Sequence, residues 1–310
     1  MKINLANIKK AQKLLNIGEC IGIPTETVYG LAGNAYSNQA CKKIFKLKKR
    51  PMNNPLIVHY YSKKELSKDC NFNESFLKLY KKFCPGPITF VLDLKKNTKI
   101  SKIATNKKKT LAVRFPKHRV TRKLLKVLKF PLAAPSANIS SKVSSVCSSD
   151  VKEDFGERIK YILEGGKSNI GLESTIIDVR NNPKILRLGG IDVSNIQKVL
   201  NKKIIINNNP SKISAPGQHK LHYSPGIPIR MNVKKVKKKE AYILIKKRKT
   251  NKSNYFFLSK NGNLKQAAKN LYSILRKIKK NKYKSIAVSR IPNKGMGKTI
   301  NDRLNRASKF

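Results

Sequence analysis

The stretch IPTETVYGLAG at residues 23–33 sets the main expectation for the fold, because an apolar segment ends there at a proline and polar side chains follow at once. Thr25, Glu26, Thr27 and Tyr29 come directly after that segment, with glycines close behind. Polar side chains at the end of a buried strand are a common way to build a binding site. The stretch therefore predicts a strand that leads into a site.

The size and composition of the chain indicate a globular protein with two domains. It has 310 residues, of which 39% are hydrophobic, and no apolar run approaches the ~20 residues that a membrane helix needs. The N-terminal segment lacks the continuous apolar region of a signal peptide and is better interpreted as an amphipathic helix. Five scattered cysteines without a CxxC pair favour reduced thiols in a cytoplasmic protein over disulfides or a zinc site.

The net charge of +53 has two explanations, and the sequence leaves both open. A strongly basic protein is typical of a polyanion partner such as RNA. Alternatively, the lysines are part of a general enrichment in lysine, asparagine and isoleucine and lie on solvated helix faces. The charge is concentrated in residues 227–310, which hold 26 Lys and Arg against 2 Asp and Glu.

Residues 1–206 alternate helical and strand-like segments, which predicts an α/β domain with a mixed sheet. Asn4, Ser37 and Asn73 are suitable N-caps for three of its helices. The expected strands are ECIGIP, PLIVHYY, PITFVLDL, TLAVRFP, PLAAPSAN, KYILEGG, STIIDVR and KILRLGG, followed by the helix VSNIQKVL.

The remainder of the chain divides into a linker and a second domain. Residues 207–226 are rich in proline, glycine, serine and asparagine, which is typical of a linker. Residues 227–310 contain the strands AYILIKK, NYFFLSK and SIAVSRI, a long helix over 264–280 and a final helix. They predict a small α/β domain.

Two segments that look like P-loops are excluded by their spacing. GGKS at 165–168 and GMGKT at 295–299 contain Gly-Lys followed by Ser or Thr. A P-loop also requires a glycine five positions before the glycine of that pair, and those positions hold Tyr161 and Pro292. Neither segment is therefore expected to bind phosphate as a P-loop.

The segment KLKKRPMNNPLIVH at residues 46–59 places Lys48 and Arg50 at the end of a helix, next to a loop. Cations at a helix C-terminus are favourable in any protein, so a solvated helix end is one explanation. A phosphate site is the other, because Arg binds phosphate through a bidentate fork.

Arg114 stands alone in the apolar strand TLAVRFP. A buried arginine is almost never unpaired, so its partner is either a protein carboxylate or a ligand anion. Asp and Glu number only 16 in the whole chain, which favours a ligand without excluding a carboxylate.

Two further segments carry polar side chains next to strands. AAPSANIS places Ser136 and Asn138 two residues apart, which suits hydrogen bonds to phosphate or ribose but also suits a local Asx or Ser/Thr turn. GLESTIID presents Glu173, Ser174 and Thr175 before a strand. It lacks the G-x-S-x-G elbow, which argues against a hydrolase.

Together these segments resemble one family. PTETVYGL, KKRPMNNPLIVH, AVRFP, SAN and GLESTIID are similar, in order and spacing, to the YrdC-like threonylcarbamoyl-AMP synthases, over residues 5 to about 206. HYSP and GMGKTINDRLNRAS are similar to the longer, two-domain branch. The resemblance implies a YrdC-like twisted mixed sheet with flanking helices, plus a small C-terminal Rossmann-like domain. It also implies an enzyme, a nucleotidyltransferase that makes threonylcarbamoyl-AMP and pyrophosphate from L-threonine, bicarbonate and ATP.

The resemblance also implies the residues of the site. The catalytic set is Lys48, Arg50, Ser136 and Asn138. The ATP-binding set is Arg50, Asn54, Thr110, Ser136, Ser144, Arg187 and Tyr223. The threonine-binding set is Thr27, His59, Arg114, Ala134 and Ser174. No general base and no protein metal site are assigned, and Mg²⁺ is expected to enter with ATP, held by phosphates and water.

The chain departs from the usual family pattern at several positions. The family usually has glycine where Lys49 stands, and Gly and Pro where Ser141 and Ser145 stand. It usually has Arg-Pro-Gly where RLGG stands at 187–190, and further basic and aromatic residues where Gln218, Lys220 and Leu221 stand. These departures concern mainly the nucleotide side of the site.

The expected product feeds tRNA threonylcarbamoyladenosine modification, so the downstream partner is the tRNA threonylcarbamoyl transferase machinery, with direct RNA contact left open. The alternative function is a basic RNA- or tRNA-binding module of the same fold without synthase activity. A carbamoyl-transfer domain of a hydrogenase-maturation protein is disfavoured, since no zinc-finger or acylphosphatase-like segment is found.

Overall fold

The structure is a computed structural model that describes residues 4–207 and 222–309. These residues form two β-sheets with flanking helices. Within these two ranges, no helix combines the length and the apolar character that a membrane crossing requires.

The larger sheet is formed by residues 21–206 and carries the predicted mixed strand directions. In chain order its strands are β1 (Ile21–Ile23), β2 (Gly30–Asn34), β3 (Ile57–His59), β4 (Ile88–Asp93), β5 (Thr110–Arg114), β6 (Leu132–Ala133), β7 (Thr175–Asp178), β8 (Lys184–Arg187) and β9 (Ile205–Ile206). Their spatial order is β1-β2-β6-β3-β5-β4-β7-β8-β9. The pairs β3/β5, β4/β7 and β8/β9 are parallel and the others antiparallel, so the prediction of a mixed sheet is confirmed.

Eight helices accompany this sheet within residues 4–207. They are α1 (Leu5–Asn16), α2 (Asn38–Lys48), α3 (Lys63–Leu66), α4 (Glu74–Phe83), α5 (Lys102–Thr105), α6 (Arg119–Val127), α7 (Ser148–Phe155) and α8 (Val193–Leu200). The predicted caps are confirmed, since the side chains of Asn4, Ser37 and Asn73 accept hydrogen bonds from the first turns of α1, α2 and α4.

The sheet buries its two faces differently, and this difference positions the site. Leu111 and Val113 of β5 point into the main hydrophobic core. Residues two apart on a strand share a face, so Thr110, Ala112 and Arg114 point to the opposite side. There Ala112 belongs to a small apolar cluster with Ile57, Val91, Ile176 and Leu186.

One predicted strand is wrong. KYILEGG makes only an isolated bridge between Ile162 and Gly22, with backbone hydrogen bonds on either side of it. The segment then turns against the loop after β1, where a Cβ atom on Gly165 would lie 2.3 Å from Pro24. The close approach of these two loops removes the room for a further strand pairing.

The second sheet is parallel, as expected for the predicted α/β unit. It consists of β10 (Ile229–Arg230), β11 (Glu240–Lys246), β12 (Tyr255–Ser259) and β13 (Ser285–Val288), in the order β10-β13-β11-β12. Its helices α9 (Leu264–Lys280) and α10 (Met296–Ala307) share one core with the inner face of the sheet. Val233 and Val236 pack on the other face.

The segment between the two sheets is only partly a connection. Residues 208–221 of the predicted linker 207–226 lie outside the described residues. Residues 222–225 are buried; Ser224 N donates to Ser141 O at 2.8 Å, and Tyr223 is fully buried in the core of the second domain. The second core also includes Val28 and Leu172 of the first sheet region, so the two units share an apolar interface.

Candidate functional site

A pocket lies on the face of the large sheet opposite the main core, against the second domain. Its lining brings together eight of the residues predicted from the sequence: Arg50, His59, Arg114, Ala134, Ser136, Ser174, Arg187 and Tyr223. They come from separate parts of the chain, so their convergence is a property of the fold.

The stretch at 23–33 forms one end of this pocket. Thr25 Oγ1 lies 2.8 Å from Thr27 Oγ1 and donates to Val28 O, which folds the loop between β1 and β2 inward. Thr25 and Tyr29 line the pocket, whereas Thr27 is buried behind Thr25. The hydroxyl groups after Pro24 therefore shape the pocket, and Thr27 acts through the position of Thr25.

Arg114 has a protein carboxylate as partner, which resolves one alternative left open by the sequence. Its Nη2 donates to Glu26 Oε1 at 2.8 Å, and both side chains are less than 10% exposed. Glu26 Oε2 also accepts from Lys117 N at 3.0 Å. Arg114 Nε is buried without a partner, although Arg114 lines the pocket. The guanidinium group is thus fixed on one edge and still has a donor for a ligand.

His59 and Ser174 lie near Arg114 on the same face of the sheet. His59 pairs with Arg114 in the β3/β5 register, and its Nδ1 is buried without a partner. Burial, reinforced by the charge of Arg114, holds the pKa of His59 well below its usual value, so the ring is neutral. Ser174 Oγ lies 2.7 Å from Thr89 Oγ1 and accepts from Arg187 Nη2 at 3.0 Å.

The end of α2 supplies two buried cations with different contacts. Lys48 Nζ donates to the carbonyl oxygens of Ser136 and Asn138, which ties the helix to the loop after β6. Lys48 is not among the residues that line the pocket, and burial lowers the pKa of its ammonium well below the usual value. Arg50 does line the pocket, and its Nε and Nη2 are held by Asn54 O, Asn54 Oδ1 and Pro55 O.

Three of the predicted polar residues support the pocket from behind. Asn54 orients Arg50, as described above. Asn138 accepts from Ser136 Oγ at 2.5 Å and donates to the carbonyl oxygens of Ile139 and Lys142, which closes the loop that presents Ser136. Ser144 Oγ donates to Glu173 Oε1 at 2.6 Å.

Thr110 is the predicted residue that lies farthest from Arg114 along a single strand. It begins β5, opposite Asp93, and Arg114 ends the same strand. At about 3.3 Å per residue the two Cα atoms are roughly 13 Å apart. Thr110 does not line the pocket, but it shares the sheet face of Ala112 and Arg114, so a ligand that extends along that face would reach it.

The structure adds Glu173 and His222 to the pocket, and neither was assigned a role from the sequence. Glu173 was visible only as one polar residue of GLESTIID, and His222 only as part of HYSP. Burial alone would raise the pKa of Glu173, but the charges of Arg303 and Arg187 and the hydrogen bonds to the carboxylate lower it to about 2. Glu173 is therefore an ionised carboxylate at neutral pH.

Several polar atoms in the pocket lack a protein partner. Among the described residues, six buried side-chain atoms make no hydrogen bond, and four of them belong to residues that line the pocket: His59 Nδ1, Arg114 Nε, His222 Nδ1 and Tyr223 Oη. Buried polar groups are nearly always hydrogen-bonded in native proteins. Their concentration in one pocket indicates that a polar ligand completes these bonds.

The electrostatics of the pocket favour an anion. Arg50, Arg114 and Arg187 line it, against the single carboxylate of Glu173. Burial, followed by the charge of Arg187, lowers the pKa of Arg50 to about 9, which still leaves the guanidinium charged at neutral pH. Within residues 4–207 and 222–309, no group of three or more His, Cys, Asp or Glu side chains gathers to hold a metal ion.

Two departures from the family pattern fall on left-handed backbone. Lys49 has φ +50° at the C-terminal end of α2, and Ser141 has φ +67°. Glycine, which the family usually has at both positions, adopts this conformation without steric cost. Lys49 and Ser141 therefore adopt a backbone conformation that is strained for residues with a Cβ atom.

Comparisons with known proteins agree with this architecture. Residues 13–189 match a family model described as "Telomere recombination", and residues 191–309 match one described as "Threonylcarbamoyl-AMP synthase, C-terminal domain". The threonylcarbamoyl-AMP synthase of Pyrococcus abyssi is 33% identical, covering 98% of this chain and 94% of the relative. The threonylcarbamoyl-AMP synthase of Bacillus subtilis is 32% identical, covering 99% and 94%.

Solved structures extend the comparison to three dimensions. The crystal structure of P. abyssi Sua5 complexed with L-threonine superposes with a TM-score of 0.91 at 33% identity, covering 99% of this chain and 96% of that one. Escherichia coli YciO superposes with a TM-score of 0.57 at 22% identity, covering 62% and 94%, which concerns the fold alone.

Proposed function

The chain belongs to the two-domain family of threonylcarbamoyl-AMP synthases, and we propose that its pocket makes threonylcarbamoyl-AMP and pyrophosphate from L-threonine, bicarbonate and ATP. The reaction is a nucleotidyl transfer, and its product feeds the modification of tRNA to threonylcarbamoyladenosine. The single observation that carries the proposal is the convergence of eight motif residues on one pocket that contains four unpartnered polar atoms.

The threonine half of the site is proposed to lie around Arg114. The unpartnered Nε of Arg114 is a donor for the carboxylate of the amino acid, while Glu26 holds the other edge of the guanidinium. His59, as a neutral ring, offers a nitrogen to the amine or the hydroxyl of threonine. Ala134 and Ser174 line the same part of the pocket, and Thr27 braces Thr25. The P. abyssi structure complexed with L-threonine supports threonine as a ligand of the protein.

The ATP half is proposed to lie between Arg50, Arg187 and Tyr223. Two guanidinium groups face the space in which phosphate oxygens would bind, and Ser136 adds a hydroxyl. Tyr223 presents an unpartnered hydroxyl from a ring that the second domain holds in place. Lys48, Asn54, Asn138 and Ser144 are proposed to act by positioning, and Thr110 by contact with the far end of the nucleotide.

The chemistry requires two bonds to form. The threonine amine attacks the carbon of CO₂ and releases a proton, or attacks the carbon of bicarbonate with loss of water, and either route gives a carbamate. A carbamate oxygen then attacks the α-phosphorus, and the bond from that phosphorus to the bridging oxygen of pyrophosphate breaks. Nucleotidyl transfer depends on alignment and charge stabilisation, which Arg50 and Arg187 are placed to provide.

Mg²⁺ is implied by the use of ATP, and the pocket does not fit a protein-held ion. Glu173 is the one carboxylate among the residues that line it, and its oxygens already accept from Ser144, Tyr272 and Arg303. Magnesium is commonly held by one or two carboxylates together with phosphates and water. We therefore propose that any Mg²⁺ arrives on the phosphates of ATP.

The basic surface keeps RNA contact as a further proposal. The charge of +53, concentrated in the second domain, suits a polyanion partner such as tRNA. The near-complete pocket argues against a binding module that has lost synthesis. Transfer of the product to the tRNA threonylcarbamoyl transferase machinery likewise stays a proposal.

Pyrophosphate release tests the proposed function directly. We expect release from ATP only when threonine and bicarbonate are both present, so omission of either one should reduce it to background. A wild-type protein that releases pyrophosphate equally without threonine would contradict the proposal.

A further inference from the structure

The contacts of Glu173 cross from the pocket to the second domain. Glu173 lines the pocket beside Arg187, yet its Oε2 accepts from Arg303 Nε of α10 at 2.8 Å. Tyr272 of α9 donates to the same carboxylate at 2.9 Å. A pocket residue of the first domain is thus held by two side chains of the second.

Arg303 is fully buried and has a defined contact on each nitrogen. Besides Glu173, it donates to Asp302 Oδ2 through Nη1 at 2.5 Å and to Leu188 O through Nη2 at 2.6 Å. Its guanidinium also lies 4.7 Å from the centre of the Tyr223 ring. One side chain therefore contacts both the ring of Tyr223 and Glu173, which is the only carboxylate that lines the pocket among residues 4–207 and 222–309.

We infer that Arg303 is a positioning residue for ATP: it neutralises Glu173, so that this carboxylate does not repel the phosphates held by Arg50 and Arg187. The inference deepens the proposed synthase reaction and rests on it. An ionised carboxylate in a water-poor pocket beside a polyphosphate is unfavourable unless a cation compensates it. Arg303 supplies that cation without occupying the pocket, because it is not among the residues that line it.

Removing Arg303 should make ATP binding depend on pH. Without the positive charge of Arg303, burial raises the pKa of Glu173, so more of this carboxyl group is protonated as the pH falls. The protonated form is neutral and does not repel phosphate. The groups that face Glu173 from every neighbouring segment are Ser144, Arg187, His222, Tyr223, Tyr272 and Arg303. Burial holds the pKa of His222 well below its usual value and raises those of both tyrosines, so none of these three groups titrates near neutral pH.

The experiment is calorimetric titration of the full chain with Mg-ATP between about pH 6 and about pH 8.5. At about pH 8.5 we expect the dissociation constant of ATP to be at least about tenfold higher for Arg303→Met than for wild type. The ratio of the variant's dissociation constant to that of wild type should fall toward one as the pH is lowered to about 6. Because both proteins are titrated with the same ATP, the effect of ATP protonation on binding cancels in this ratio of dissociation constants. Arg303→Lys, which keeps the charge but loses part of the fixed contacts, should weaken ATP binding less than Arg303→Met and should keep the pH profile of wild type.

Two further variants separate charge from domain docking. The double variant Glu173→Gln/Arg303→Met removes the carboxylate together with its partner, so its ATP affinity should return to within about threefold of Glu173→Gln alone. Arg306→Met removes another buried arginine of α10, which pairs with Asp302 and does not contact Glu173. It should leave the pH dependence of ATP binding as in wild type.

Each remaining outcome decides the inference. A pH profile of Arg303→Met parallel to that of wild type, or an equal loss in Arg306→Met, would overturn it in favour of a purely structural role. If Arg303→Met does not fold, the double variant should fold, because the carboxylate of Glu173 is removed together with its partner; a double variant that also fails to fold overturns the inference. A wild-type protein that does not bind ATP contradicts the proposed function instead.

Discussion

Two sides of the pocket, one around Arg114 and one around Tyr223, are held in place in different ways. Arg114 is fixed within the first domain, where Glu26 pairs with it from the neighbouring loop. Tyr223 lies between Tyr272, whose ring centre is 5.9 Å away, and Arg303, both from the second domain. The side around Arg114, where threonine is proposed to bind, is thus complete within residues 21–190, whereas the side around Tyr223, where ATP is proposed to bind, requires both domains.

This difference explains which residues the sequence could reveal. Arg114 was recognisable because a lone arginine in an apolar strand needs a partner, whatever that partner is. Tyr223 was recognisable only through the family resemblance, and the composition of its surroundings predicts a linker. Its burial depends on contacts with residues far along the chain, which no local pattern reports.

The largest effect is expected on the side of the pocket around Arg114, where threonine is proposed to bind. Arg114→Leu leaves Glu26 as an uncompensated buried carboxylate, so we expect about 3–5 kcal/mol less stability against urea and a loss of threonine binding that exceeds the loss of ATP binding. The double variant Glu26→Gln/Arg114→Leu should regain most of the stability but not the threonine affinity. Equal losses for both ligands in the stable double variant would contradict the assignment of Arg114 to threonine.

The next effect concerns the phosphate side of the pocket. Lys48→Ala and Arg50→Ala should each reduce synthesis at least about tenfold, or about 1.4 kcal/mol of transition-state stabilisation. Arg50 loses a charge that faces the pocket, and Lys48 loses the bonds that hold the Ser136 loop. Lys46→Ala, an exposed lysine on the same helix, is the matched control. Normal turnover with normal ATP affinity in either variant would remove that residue from the site.

A smaller effect is expected on the side of the pocket around Tyr223, where ATP is proposed to bind. Tyr223→Ala removes a ring that contacts Tyr272 and Arg303, which is worth about 1 kcal/mol, so water should reach the reactive carbamate and anhydride more easily. We expect less threonylcarbamoyl-AMP per pyrophosphate released, measured by chromatography of both products. Tyr255→Ala, a half-buried tyrosine of β12 that does not line the pocket, should leave the ratio unchanged. An unchanged ratio in Tyr223→Ala would contradict a role of this side chain in excluding water from the reacting groups.

The smallest effect is expected at Lys49, which does not line the pocket, and it concerns stability. Lys49→Gly relieves a left-handed residue at the end of α2 and should stabilise the protein by about 0.5–1 kcal/mol without changing activity. Lys46→Gly, within the same helix, should destabilise it by about the same amount. Urea unfolding of both variants measures the difference, and a loss of stability in Lys49→Gly would show that the lysine makes a contact that offsets the strain.

Much of the fold followed from local patterns, because caps and alternating apolar residues act over a few positions. The helix starts at Asn4, Ser37 and Asn73 are examples. KYILEGG has the composition of a strand but not the space, since its glycine packs against Pro24. Whether a strand-like segment joins a sheet depends on the neighbour that it meets in the fold.

The site was predictable in its residue types but only partly in their roles. Asn54, Asn138 and Ser144 were expected to contact ATP or the reacting groups, and in the structure they orient Arg50, Ser136 and Glu173. Glu173 had no assigned role, because its partner Arg303 lies 130 residues later in the chain. Partners that distant cannot be found from motif spacing within one segment.

The central claim is that one pocket joins threonine, bicarbonate and ATP, and a double-label experiment tests it most directly. The full chain is incubated with threonine, carbon-labelled bicarbonate and ATP labelled at the α-phosphate, and the nucleotide products are separated. We predict a threonine-dependent product that carries both labels in equal amounts, formed with one pyrophosphate each and reduced at least about tenfold in Arg50→Ala. Pyrophosphate release without a doubly labelled product, or a product that forms equally without threonine, would contradict the account.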